Sequence, residues 1–294
     1  MDVAFLRTQI SRLVAERDFR DASDCLEKII FGLPREEFLP LVVEIGIIPE
    51  DIPHDSSEEK LYAKSADIIL VKAFQELGLR SSVNRERANC ADVVARSDTY
   101  GYSLVGDAKA FRLSHTAKNQ KDFKVKSMVD WRGDHDYAVL VCPYYQYPRS
   151  ASQIFAQAID GNVLLFSWEH LSLLLEEGIE EGKLIDLGKI WGLSRKIARR
   201  VLADEREKSF MDLQDELISK AIGISQPRIS RAFARYRDVV SRRGDQGILY
   251  WENRIKDIRG MSREEAVAGL ISTMKLEEKI LSIRQFISHL ENNE

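Results

Sequence analysis

Leu104-Val105-Gly106-Asp107-Ala108-Lys109-Ala110-Phe111, with Asp92-Val93-Val94-Ala95-Arg96 upstream of it, is the part of the chain that decides its fold. Tyr102 to Phe111 reads as a long strand and Asp92 to Arg96 as a short one, with Asp98-Thr99-Tyr100-Gly101 as the turn between them. Side chains two apart on a strand share a face, so Asp107 and Lys109 project together, roughly 7 Å apart along it. Asp92 precedes Asp107 by fifteen residues, across a hairpin that brings it alongside. D-x-K by itself is a common accident, and its bland reading is a solvated ion pair of little energetic weight. The apolar Leu104-Val105 running straight into the pair puts these charges at the end of a buried element.

Upstream, residues 1–80 read as helical. Phe5, Ile10, Leu13 and Val14 recur at helical spacing, followed by Cys25, Ile29 and Ile30. Ser56 with Glu59 three residues on has the form of a capping box. The stripe Tyr62, Ala66, Ile69, Leu70, Ala73, Phe74, Leu77 continues from it until Gly78 supplies a stop. Downstream, a helix is expected over 116–131, strands over 137–142 and 163–166, and helices over 151–159 and 168–176. From about 184 the chain is charged and mostly helical. The expected fold is α/β, a mixed central sheet flanked by helices, with helical N- and C-terminal regions. The expected division is a helical region 1–80, a catalytic core 81–180 and a helical region 181–294, joined in one compact unit.

Composition excludes several classes. With 44% hydrophobic and 31% charged residues the chain suits a globular protein. It has no apolar stretch long enough to span a bilayer and no leader-like N-terminus. Its three cysteines lack CxxC spacing, which suggests reduced thiols and a cytoplasmic location. The net charge of −4 argues against a surface that wraps nucleic acid everywhere. Yet residues 104–126 hold six Lys/Arg against two Asp, a local excess of +4 directly after the D-x-K segment.

Phosphodiester hydrolysis needs acids that hold a divalent metal, and a lysine that orients or deprotonates the attacking water. Asp92, Asp107 and Lys109 form such a set, the PD-(D/E)xK arrangement, with Ala91 in place of the proline. A divalent cation is the expected cofactor. Glu59 is a candidate further metal ligand, although a cap explains a glutamate there equally well. Glu86 and Asp122 are further acids close by in sequence.

At these residues the chain resembles the HindIII family of type II restriction endonucleases. The resemblance runs through 57–61, 67–75, 107–114 and 116–126, and again through 152–155 and 162–171; it fades beyond about 190. It implies a homodimeric Mg²⁺ nuclease that cuts double-stranded DNA within AAGCTT. It also implies a cognate DNA methyltransferase in the same system, without a stable complex. Asp107 and Lys109 match the family's DxK, Asp92 the preceding acid, and Asp122 a further family acid. Arg85 stands where the family has its upstream glutamate, with Glu86 adjacent, so Glu59 and Glu86 both remain open. His115, Lys118, Asn119, Gln120, Lys121, Asp122 and Lys124 are the expected DNA-binding residues. Lys suits guanine edges and Asn or Gln adenine edges, while contact with phosphate is the alternative for each.

Two rival readings stand beside this one. Residues 217–232 have the form of a helix-turn-helix, with Gly223 at the turn and Gln226, Arg228 and Arg231 toward DNA, which would suit a transcriptional regulator. An αα-hairpin packed on the core explains the same residues. A PD-(D/E)xK nuclease of repair or junction resolution would share the metal site.

Overall fold

A computed structural model describes residues 3–84, 90–114, 120–148, 152–183, 185–198 and 206–291. Four helices open the chain: α1 (Val3–Glu16), α2 (Phe19–Phe31), α3 (Arg35–Glu44) and α4 (Ser57–Glu76). Five strands follow in chain order: β1 (Arg80–Val83), β2 (Val93–Arg96), β3 (Ser103–Ala108), β4 (Tyr137–Cys142) and β5 (Val163–Ser167). They form one mixed sheet of order β1-β2-β3-β4-β5. β1, β2 and β3 pair antiparallel, and β3, β4 and β5 pair parallel. β4 and β5 are nearly continuous apolar runs because both faces are covered, and every residue of β5 is buried.

Between β3 and β4 lie α5 (Gln120–Phe123) and α6 (Val125–Arg132), and α7 (Gln153–Gly161) lies between β4 and β5. The single helix expected over 116–131 is broken at Lys124, which takes a left-handed conformation at φ 50°. The reason is packing. Phe123 and Val125 are both buried while Lys124 and Lys126 are exposed, and residues two apart on a helix point about 200° from one another, so a helix covered on one side only does not bury both. After β5 come α8 (Trp168–Glu176), α9 (Gly188–Trp191), α10 (Leu193–Ala198), α11 (Arg206–Ile222), α12 (Gln226–Gly260), α13 (Arg263–Thr273) and α14 (Leu276–Glu291). The chain forms two compact units, residues 1–245 and 246–294. No described helix is long and apolar enough to cross a membrane.

α4 is the spine of the first unit. It buries Tyr62, Ala66, Ile69, Leu70, Ala73 and Phe74 of the stripe read from its spacing, with Leu77 buried just past its end, and Leu61, Ile68 and Val71 besides. Ser56 caps it by accepting the Glu59 N–H at 3.0 Å. The reciprocal half of the capping box is absent, because the Glu59 carboxylate accepts the N–H of Asp55 instead, at 2.7 Å. Gly78 at φ 87° ends the helix in a conformation that costs a glycine little. Gly106 explains how closely α4 reaches the sheet: a β-carbon there would lie 3.3 Å from both Leu70 and Phe74. The space that a residue without a side chain leaves beside Asp107 is thus filled by this helix.

Lys72, on the same helix, is buried. Its ammonium donates to the carbonyls of Ile30, Phe31 and Leu33 at 3.1, 3.2 and 2.6 Å, closing the end of α2. Lys72→Met keeps the stem and removes these donors. It is expected to lower stability by about 2 kcal/mol, seen as an earlier urea midpoint at unchanged slope; a wild-type midpoint rejects the capping role.

Candidate active site

The pairing of β2 with β3 sets the site. Val93 lies opposite Gly106, so one step further the register brings Asp92 opposite Asp107. Directly opposed residues of an antiparallel pair have β-carbons about 5 Å apart and share a face of the sheet. Asp107 is fully buried, Asp92 half-buried. The Lys109 ammonium forms an ion pair with Oδ2 of Asp107. Neither oxygen of Asp107 has a hydrogen-bond partner among the described residues. Burial pushes the Asp107 carboxyl above the usual carboxylate range; Lys109 opposes that rise and the Asp92 charge adds to it. Burial alone would lower Lys109, but Asp107 outweighs it and holds the ammonium protonated.

The main chain of Lys109 is tied on both sides. Its N–H donates to Val141 at 2.8 Å, and its carbonyl accepts the Trp168 indole at 2.9 Å. β3 stops at Ala108, short of the Phe111 expected, and the chain then crosses to the α3–α4 connection. Phe111 bridges to Ile47 there, and its N–H donates to Gly46 at 2.9 Å. Arg112, nearly buried, reaches the Pro49 carbonyl at 3.0 Å and Oε1 of Glu59 at 3.1 and 2.6 Å through two nitrogens. Both oxygens of Glu59 are thus engaged, one by Arg112 and one by Asp55. Glu59 sits with His54 and Asp55 in a group whose ligand atoms lie within 4.8 Å of one another.

A further acid escaped the sequence reading. Asp67 is buried in α4, where Lys64 donates to it at 3.1 Å. Its pKa is pushed up to about 7 by burial and then by the charge of Asp92, with Asp107 adding a smaller push. The available signal was a lone acid between Ala66 and Ile68 on a helix that is apolar on almost every side, at the head of the 67–75 block.

Of the expected DNA-binding residues, His115, Lys118 and Asn119 lie outside the described residues, as does Glu86. Gln120, Lys121 and Asp122 belong to α5, with Asp122 half-buried. Lys124 is exposed, its ammonium 5.7 Å from the centre of the Trp131 ring. Phe123 anchors this segment between Phe111 and Tyr147, with ring centres 5.7 Å away on each side.

The segment 217–232 forms α11, a turn at Gly223 (φ 71°) and the start of α12, a helix of 35 residues. Ile229, Ala232, Phe233 and Tyr236 of α12 bury themselves against Val43 and Leu173. Arg228 pairs with Glu177 at 2.7 Å, while α11 is pinned by His170 to Asp215 at 2.7 Å. Both helices sit on the core as an αα-hairpin; Gln226 and Arg231 remain exposed.

Two opposed carboxylates, one of them buried with an oxygen left unfilled, fit a hard divalent cation that takes oxygen ligands. Such a centre beside a protonated lysine suits the handling of a phosphodiester. The comparisons with known proteins agree with this chemistry. The family model described as HindIII restriction endonuclease matches residues 8–287. Type II restriction enzyme HindIII of Haemophilus influenzae is 40% identical over 281 residues, which cover 96% of this chain and 94% of that protein.

The raised pKa of Asp67 has a consequence for stability. The folded state keeps a proton that the unfolded chain releases near pH 4, so the contribution is complete below that pH and lost as pH rises through about 7. In metal-free buffer, Asp67→Asn should gain on wild type by roughly 3 kcal/mol between pH 5 and pH 8. A difference in unfolding free energy that stays flat over that range refutes the raised pKa.

Proposed function

The chain belongs to the HindIII restriction endonuclease family, and from that premise we propose that it cuts both strands of DNA within the palindrome AAGCTT, using Mg²⁺, with Mn²⁺ able to substitute. It is a type II site-specific deoxyribonuclease. The observation that carries the mechanistic reading is Asp107, buried opposite Asp92, with Oδ2 against the Lys109 ammonium and Oδ1 without a hydrogen-bond partner among the described residues.

In this reading Asp92 and Asp107 hold the cation, and the charge of Asp67 adds to the negative potential that draws it in. A cation held there would supply positive charge to offset the charge that develops on the phosphate and the leaving oxygen. Lys109, protonated through its pairing with Asp107, directs its ammonium at the attacking water or a non-bridging phosphate oxygen. Its fixed main chain aims that group without further ordering at the moment of reaction. Glu59 holds Arg112, and with it the segment after Lys109; its engaged oxygens favour this positioning role, which leaves Glu86 as the candidate upstream acid.

Base reading falls to the segment 115–124, which follows Lys109 in the sequence. Lys118 and Lys121 suit guanine, and Asn119 and Gln120 suit adenine. His115, Asp122 and Lys124 complete the contact, Lys124 with phosphate. A palindrome calls for two copies related by a two-fold axis, hence a homodimer. The setting is the cytoplasm, where a cognate methyltransferase marks the same site without forming a stable complex.

Purified protein is expected to convert an AAGCTT-bearing plasmid into discrete fragments with Mg²⁺, and EDTA to stop it; sequencing the ends by run-off gives specificity and cut position together. Asp107→Asn should abolish cutting and leave DNA binding equal or tighter, since a metal ligand and a charge facing phosphate are both removed. Wild-type cutting by that variant removes Asp107 from the site. Binding without any cutting by the native protein favours a regulator, and nicking at branched structures a repair nuclease. Lys124→Ala should reduce the slope of log affinity against log salt by about 0.9, the value of one phosphate contact; an unchanged slope takes Lys124 off the backbone.

A further inference from the structure

The second unit, residues 246–294, has no buried residue among those described. It is nevertheless rich in large apolar side chains. Residues 1–245 show three such side chains exposed, Phe5, Phe19 and Tyr100, whereas the last 49 residues show fourteen. Ten of the fourteen follow a regular pattern. On α12, Ile248, Trp251, Ile255 and Ile258 follow one another at steps of three, four and three. On α13, Val267, Ile271 and Met274 keep the steps four and three. On α14, Leu276, Ile280 and Ile283 do the same, and the sequence carries the series on to Ile287 and Leu290. This is the 3.5-residue repeat of a seam that receives the side chains of another helix.

We propose that this unit is the dimerisation element of the protein, its heptad seams packed against those of a second copy. The ten seam side chains named with structural exposure are 36–61% exposed. Together they offer on the order of 800 Å², about what one partner contributes to a standard interface. Charge excludes a nucleic acid as the occupant, because residues 246–294 carry seven Lys/Arg against eight Asp/Glu and form no basic stripe.

Charge also points to the same chain as partner. With Ile280 and Ile287 at position a of the heptad, Leu276 and Ile283 fall at d, Glu277 and Arg284 at the flanking position e, and Lys279 at g. A parallel pair of α14 helices would set Lys279 beside Arg284 of the other copy, like against like. An antiparallel pair brings Glu277 of each copy to Arg284 of the other, twice, around a two-fold axis. That symmetry is the one a palindrome-cutting dimer requires, so the inference rests on the proposed function for its choice of a second copy.

The test is the mass of the full chain in solution. Wild type should be a dimer at about 1 μM. Ile280→Glu/Ile283→Glu should weaken association by 100-fold or more at unchanged far-ultraviolet circular dichroism, since both positions are exposed in the single chain. Arg284→Glu alone should weaken it, and Glu277→Arg/Arg284→Glu together should restore it. A wild type that stays monomeric, or seam variants that stay dimeric, overturns the inference. In the second case, a protein that still cuts AAGCTT keeps the proposed function and dimerises through another face. A seam-dependent dimer that cuts no DNA upholds the interface and rejects the nuclease reading.

Discussion

Two aspartates held opposite each other across β2 and β3 set the terms for the rest of the molecule. Like charges directly across an antiparallel pair work against the sheet. Here one of them, Asp107, is also removed from water with no hydrogen bond to either oxygen from a described residue. Lys109 compensates only in part: burial still leaves the Asp107 carboxyl holding its proton more tightly than usual. Asp67, buried in the helix below, adds a third acid to the same field. Stability alone would not select this grouping, and a local conflict of that kind marks a place shaped for binding.

The surroundings hold the conflict in place. Gly106 lets α4 close on β3 at the residue next to Asp107. Both backbone groups of Lys109 are engaged, by a strand on one side and an indole on the other. The segment that follows is fastened to the α3–α4 connection by Phe111, Arg112 and Ser114, the last through hydrogen bonds of 2.9 and 2.6 Å to Glu50. A rigid frame lowers the reorganisation needed when a ligand arrives, which is the general condition for electrostatic catalysis.

Legibility followed the range of the interaction. The D-x-K face was readable because strand alternation is local, and the α4 stripe because helical periodicity is local too. Glu59 shows where such reading stops. Its spacing from Ser56 announces a capping box, and the Ser56 half is present. Its carboxylate, however, goes to Arg112, 53 residues further along the chain, and no local pattern foretells that pairing. The break at Lys124 has a similar origin: 123 and 125 each look acceptable in a helix, and only cover from one side that must bury both at once works against it. Asp67 was hidden in an apolar run whose helical periodicity it did not disturb.

Taken alone, the order of residues determined the strands and helices that carry the site, the chemistry of two acids and a lysine, and the affiliation with a nuclease family. These depend on neighbours within a few positions or on long matched runs. Tertiary structure decided which acids share a field, which carboxylate holds an arginine instead, and which apolar helix faces find no cover within their own unit. Those outcomes depend on strand register and on contacts between segments tens of residues apart, where burial makes charge and unfilled hydrogen bonds count far more than they do in water.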